Sequence, residues 1–255
     1  EIYRCDWSSD VCSSDLADTV VRCSMELGGN APVIVMDDAE IAVAVPQILL
    51  AKMRNGGAAC TSANRIFVQK AIAEEFIAAF TKAMDGFVMG RGVDDGVTLG
   101  AYVSTKERDK IAALVDEAIK SGASVRTGGK KPEGPGAFYP ATVMTIDKYN
   151  SILKKEIFGP VAPIVIFDTE EEGIELCNDT EFGLISYVFS ANAGRAIRIA
   201  EQIESGMVAV NRGMISDPAA PFGGYKQSGL GREGGFDGIH EFRSEEHTSE
   251  LQSQR

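Results

Sequence analysis

The feature that most constrains this chain's fold is a repeated alternation of short apolar runs with longer stretches of helical period. Val33–Met36 reads as a buried strand, and Asp38 is placed to cap a helix running toward Asn55. Pro46 inside that stretch predicts a kink or a break, because proline removes a helical hydrogen bond. Arg65–Gln69 reads as a strand. Ala71–Phe87 reads as an amphipathic helix, with Ile72, Phe76, Ile77, Phe80 and Met84 on one face. Ser104 and Glu107 make a capping-box pattern ahead of a helix reaching Ile119. Strands are predicted at Ser124–Arg126, Val161–Phe167, Leu184–Ser190 and Met207–Val210, and helices at Glu170–Asn178 and Ala193–Glu204. Parallel strands need crossover connections, usually helical. Serial βα units therefore predict an α/β fold, an open, largely parallel sheet flanked by helices.

Composition narrows the function classes. The 255 residues are 44% hydrophobic, enough to bury a sizeable core. The formal charge is −12, with 37 acidic against 25 basic residues. Such a surface repels phosphate backbones, so no nucleic-acid partner is expected. No apolar run reaches the ~18 residues of a membrane span, and no secretory signal opens the chain. Five irregularly spaced cysteines fit a reducing, cytoplasmic compartment better than a disulfide framework. Two segments stand apart. Residues 1–16 and 243–255 lack strand or helix period and resemble translated sequencing-adaptor read-through. Cys5, Cys12 and His247 fall there and are set aside, and no metal site is expected.

Four segments carry chemistry. Cys60 sits in the small-residue turn RNGGAACTSANR, where glycines let backbone N–H groups approach a developing oxyanion. A thiolate suits covalent catalysis, although a lone cysteine reads more often as a buried small hydrophobe. Glu26, in MELGGN, is a carboxylate in an apolar turn, where desolvation would raise its pKa toward the range of a general base. KEIFGPV sets Glu156 and Phe158 ahead of a Gly-Pro turn. PFGGYKQSGLGREGG, residues 221–235, interleaves glycines with Phe222, Tyr225, Lys226 and Arg232, which suggests an ordered loop packed at a site and not a flexible linker.

In this order, and with Glu26 34 positions (60 minus 26) before Cys60, the four segments resemble the signature of the aldehyde dehydrogenase superfamily. The resemblance runs from Ser24 to Phe242 and assigns 17–242 to the family's catalytic region. It implies Cys60 as nucleophile and Glu26 as the base that activates water. It also implies NAD or NADP as cofactor, held by Glu156, Phe158, Leu27 and Gly28. The stretches KMRNGG, NDTEFGLISY and NRGMIS resemble the succinate-semialdehyde dehydrogenase branch. There, residues matching Arg54 and Ser216 bind the substrate's distal carboxylate, and Phe222 is expected beside them. An arginine fork suits a carboxylate.

The implied reaction oxidises a small-molecule aldehyde to its acid, with other semialdehydes, a broad-specificity enzyme, or thiol-dependent ester hydrolysis alone as alternatives. A complete member is about twice this length and is expected to be a homo-oligomer. Its cofactor domain and oxyanion asparagine would lie upstream, so this chain alone is expected to be inactive. Two positions depart from the pattern. Ala58 stands where the family has Gln or Glu, and Ser62 stands where some members of the branch carry a second cysteine.

Overall fold

A computed structural model describes residues 23–236 and 238–242. Cys5, Cys12, His247 and both atypical end segments lie outside the described residues. Seven strands make the main sheet: β2 (Ala31–Val35), β3 (Ala63–Gln69), β4 (Ser124–Thr127), β5 (Thr142–Thr145), β6 (Val161–Phe167), β8 (Ile185–Phe189) and β9 (Met207–Val210). Their order is β4-β5-β6-β3-β2-β8-β9, and every neighbouring pair is parallel except β4 with β5. Two small antiparallel ribbons lie apart from it. One joins β1 (Met25–Glu26) to β11 (Gly229–Leu230), the other β7 (Phe182–Gly183) to β10 (Tyr225–Lys226). The α/β architecture predicted from the alternation is the one observed.

The two faces of the sheet sort the side chains by parity. Val33, Val35, Ile66 and Val68 face α1 (Ile41–Met53) and α2 (Ala73–Asp85), where Ile48, Phe76 and Phe80 are fully buried. Ile34 and Phe67 face the other way, toward α3 (Thr105–Lys120), α4 (Glu170–Asn178) and α5 (Ala193–Ala200). A strand covered on both sides reads as a continuous apolar run, as VIVM does. Burying each such side chain contributes roughly 1.5–3 kcal/mol. Ser104 caps α3 as expected, its hydroxyl accepting from the Glu107 amide at 3.2 Å, while the Glu107 carboxylate pairs with Lys110.

The structure corrects four local expectations. Asp38 caps no helix, since α1 begins at Ile41 after Glu40. The Asp38 carboxylate instead accepts from the Ser190 hydroxyl and the Asn192 amide. Pro46 neither breaks nor ends α1, which continues to Met53 with Ala44, Val45, Ile48 and Ala51 buried. Tertiary packing on that face outweighs one lost backbone bond. The helix expected over Ala193–Glu204 ends at Ala200. Strand β5, four residues in which Val143 and Met144 lie between two threonines, was not foreseen.

Candidate active site

Three of the four chemistry-bearing segments enter at the amino ends of parallel strands, and the fourth, residues 221–235, reaches Glu26 through the β1–β11 ribbon. Glu26 to Gly29 precede β2, Cys60 precedes β3, and Glu156 and Phe158 precede β6. The carboxyl ends of β2, β3 and β8 are closed by Arg195, which bonds Asp37, Asp38, Glu170 and Gln69.

The Cys60 turn begins where α1 gives way to a single 3-10 turn, Arg54–Gly57. Asn55, Gly56 and Gly57 are consecutively left-handed, with φ of 52°, 64° and 80°. At Gly57 a Cβ would lie 2.2 Å from the Gly159 carbonyl oxygen, so the turn packs backbone to backbone against the EIFGP segment. The ELGG glycines have the same kind of origin. A Cβ on Gly28 would fall 2.6 Å from Glu156 Oε2, and one on Gly29 would fall 2.3 Å from the Cys60 carbonyl oxygen. Three segments distant in sequence therefore meet on two glycines.

Glu26 is presented by the β1–β11 ribbon, tied further by Leu27 N–H donating to the Ser228 carbonyl at 3.0 Å. The Cys60 thiol donates to Glu26 Oε1 at 3.7 Å, within hydrogen-bond reach of sulfur. Burial and the neighbouring Glu233 carboxylate raise the Glu26 pKa, and the thiol's hydrogen bond partly offsets them. Burial pushes the Cys60 thiol up to about 11, with Glu26 and Glu156 adding to the shift. Glu156 is itself raised by burial, against the Gly29 N–H that donates to its Oε1 at 3.0 Å.

Two cavities flank this centre. One of about 850 Å³ is lined by Ala58, Tyr102, Glu107, Lys110, Glu156 and Phe158, among others. The other, about 380 Å³, brings together Glu26, Ser216, Phe222 and Glu233. Arg54 lines neither cavity. It is exposed, and among the described residues its guanidinium forms no hydrogen bond or ion pair, but it lies near enough to the Tyr187 phenol to act on it electrostatically. Leu27 and Gly28 sit between Glu26 and Glu156 in the chain. The glycine-rich 221–235 stretch is ordered, with Arg232 stacked 5.0 Å over the Tyr225 ring. Among the described residues, no group of three or more His, Cys, Asp or Glu could hold a metal ion, and no helix is long and apolar enough to cross a membrane. Sequence reading missed Tyr102, Tyr187 and Glu233. Tyr102 gave no signal, Tyr187 closed the NDTEFGLISY stretch without being assigned a role, and Glu233 lay in a motif read for its glycines, aromatics and basic residues.

The sequence model of the Aldehyde dehydrogenase family matches residues 8–247. The chain belongs to the aldehyde dehydrogenase family. Within it, this aldehyde dehydrogenase chain is 50% identical over 230 residues to the succinate-semialdehyde dehydrogenase of Paenarthrobacter nicotinovorans, across 90% of this chain and 51% of that protein. It is 42% identical to the glutarate-semialdehyde dehydrogenase of Pseudomonas aeruginosa, across 90% of this chain and 48% of that one. The crystal structure of succinate-semialdehyde dehydrogenase from Burkholderia pseudomallei superposes with a TM-score of 0.88 at 42% identity, covering 91% of this chain and 48% of that chain. The chain thus spans about half the length of the curated relatives it matches.

Proposed function

We propose that this chain carries the nucleophile, Cys60, and the general base, Glu26, of an NAD(P)-dependent oxidation of a semialdehyde to its carboxylic acid. Succinate semialdehyde is the first choice of substrate. The observation that carries the reading is the 3.7 Å contact between the Cys60 thiol and Glu26, which neighbouring segments of chain alone could not produce.

The protein steps follow from that contact. Glu26 accepts the thiol proton as sulfur attacks the carbonyl carbon, giving a thiohemiacetal. The Cys60 turn presents backbone N–H groups to the oxyanion. Bound NAD or NADP would accept the hydride that leaves the thiohemiacetal carbon, converting it to a thioester. Glu26 gives up that proton to solvent, then takes one from water, whose oxygen attacks the thioester carbon; the C–S bond breaks and Glu26 passes the water's proton to the departing sulfur, releasing acid and thiol. The residues present fit the cofactor, because Glu156 is an acceptor-only carboxylate on the wall of the larger cavity, backed by a glycine with no Cβ. Glu156 would hold vicinal hydroxyls, with Phe158, Leu27 and Gly28 beside it. Ser216 and Phe222 border the smaller cavity with Glu26 and would receive the substrate, with Arg54 drawing its distal carboxylate. The free thiols Cys60 and Cys177 suit a cytoplasmic setting, and the whole protein would work as a homo-oligomer on a small-molecule aldehyde.

Ester hydrolysis tests the pair without cofactor, since acyl transfer to sulfur needs no hydride acceptor. We expect 4-nitrophenyl acetate to acylate Cys60, with Cys60→Ala abolishing phenol release. Glu26→Gln should slow the first turnover, which loses the acceptor of the thiol proton, and block the later ones, which lose the base for water. Unchanged phenol release in Cys60→Ala would sink the proposal. 4-Nitrophenyl hemisuccinate carries the distal carboxylate, and Arg54→Ala should slow it while sparing the neutral ester.

A further inference from the structure

The Cys60 turn is conformationally demanding. Asn55 is a non-glycine residue in the left-handed region, followed by two more left-handed residues. Such a stretch persists where its surroundings hold it. Ala58 and Ala59 offer only methyl groups for that purpose. Apart from Asn55, which donates to the Ala58 carbonyl within the turn, two side chains hydrogen-bond the backbone of residues 56–61 among the described residues. The Tyr187 hydroxyl donates to the Thr61 carbonyl at 2.7 Å, and the Tyr102 hydroxyl donates to the Gly56 carbonyl at 3.1 Å.

We propose that Tyr187 and Tyr102 are positioning residues for the nucleophile, their hydroxyls clamping the carbonyls of Thr61 and Gly56 on either side of Cys60 in the chain. The proposal rests on Cys60 and Glu26 being the reacting pair. Tyr187 is well placed to act as a fixed post. It belongs to β8, is 2% exposed, and sits in the apolar cluster against which Cys60 packs. Its phenol is close enough to feel the charges of both Cys60 and Arg54. Tyr102 wedges between two parts of the site. Its oxygen bonds Gly56 on one side and would lie 2.8 Å from a Cβ placed on Gly159. Where the family carries Gln or Glu, this chain has Ala58, so the turn's alignment falls on the two phenols. With either hydroxyl removed, the turn loosens, water reaches the sulfur, and the contact with Glu26 lengthens. Burial and Glu26 are the leading reasons that Cys60 titrates high, so loosening lowers its pKa and speeds its alkylation at fixed pH.

The test is iodoacetamide labelling of the full chain across pH, read at Cys60 by peptide mass spectrometry, with Cys177 as the buried control. Tyr187→Phe keeps the ring and deletes the hydroxyl. It should accelerate Cys60 labelling near neutral pH by roughly fivefold, the factor carried by one neutral hydrogen bond. Tyr102→Phe, losing the longer bond, should do so less, and the double variant more than either. Cys177 labelling should stay at the parent rate. Superimposable Cys60 profiles in all three variants would overturn the proposal, as would acceleration of Cys177 in proportion, which marks general loosening. Glu26→Gln separates the two layers of argument. If it leaves the Cys60 profile unmoved, the reacting pair fails and the clamp fails with it. If it shifts the profile while the tyrosine variants do not, only the clamp fails.

Discussion

Replacing Gly29 by alanine tests how the site is assembled. The added Cβ would stand 2.3 Å from the Cys60 carbonyl oxygen and 3.5 Å from Leu184 Cβ. Comfortable contacts begin near 3.5 Å, so the carbonyl must retreat by more than about 1 Å. Backbone cannot swing aside as a side-chain tip can, so the Cys60 turn moves as a unit. The thiol–Glu26 contact, already 3.7 Å, then passes beyond hydrogen-bond reach. A misplacement of ~1 Å between reacting groups lowers rates on the order of a hundredfold. Overpacking adds about 1–3 kcal/mol of destabilisation, a fall in unfolding midpoint of roughly 2–12 °C at this size. The assay is turnover of 4-nitrophenyl acetate beside a thermal melt. Gly28→Ala is the internal comparison, because its Cβ would meet Glu156 Oε2, the end of a side chain that can turn away. Ester turnover should therefore fall far more in Gly29→Ala than in Gly28→Ala. Equal rates in the two variants, or a Gly29→Ala protein indistinguishable from the parent, would refute the close-approach reasoning.

Three further outcomes are expected. Cys60 labelling should climb with pH toward about 11, and Glu26→Gln should shift that rise downward by more than Glu156→Gln, because Glu26 both lies closer in effect and accepts the thiol's hydrogen bond. Arg195→Met should destabilise the fold by about 1–2 kcal/mol, given that the pairs it loses are partly exposed. Burial alone would raise Asp38 and Glu170, but Ser190, Asn192 and Arg195 hold Asp38 below 3.8, while Arg195 and Arg198 hold Glu170 below 4.5. Their contribution is full above those unfolded values and is lost as pH falls through the lower native ones, so the variant's acid melting curve should be flatter than the parent's. Lys52 is fully buried on Asn64 Oδ1, and burial lowers its pKa to about 7 from 10.5. The unfolded chain then holds more protons than the native one above neutrality, so stability should rise from about pH 7 until the thiols titrate. Lys52→Met should remove that slope, which urea midpoints taken at several pH values would reveal.

Periodicity carried most of the architecture. Both-face burial makes a strand such as Ala31–Val35 uniformly apolar, and one-face burial makes a helix such as Ala73–Asp85 amphipathic, so each element wrote its environment into its own residues. Failures came where distant packing outweighed a local rule. Pro46 stays helical because it is on the exposed side of a helix held by its buried residues, and Asp38 serves Ser190 and Asn192, far along the chain, in place of a nearby helix.

The residue types of the site were legible only in combination, since neither a cysteine among glycines nor a carboxylate in ELGG is specific alone, and the order of four segments supplied the resemblance. Sequence alone thus determined the layering of the fold and which groups could react. Only the tertiary structure decided how they meet. It set Gly29 against the Cys60 carbonyl, brought Glu26 to the thiol, and placed two tyrosines on the backbone of the turn. Those contacts join residues far apart in the chain, and a close approach of backbone to backbone leaves no periodic trace in the sequence, beyond a glycine whose reason appears only when its neighbour arrives.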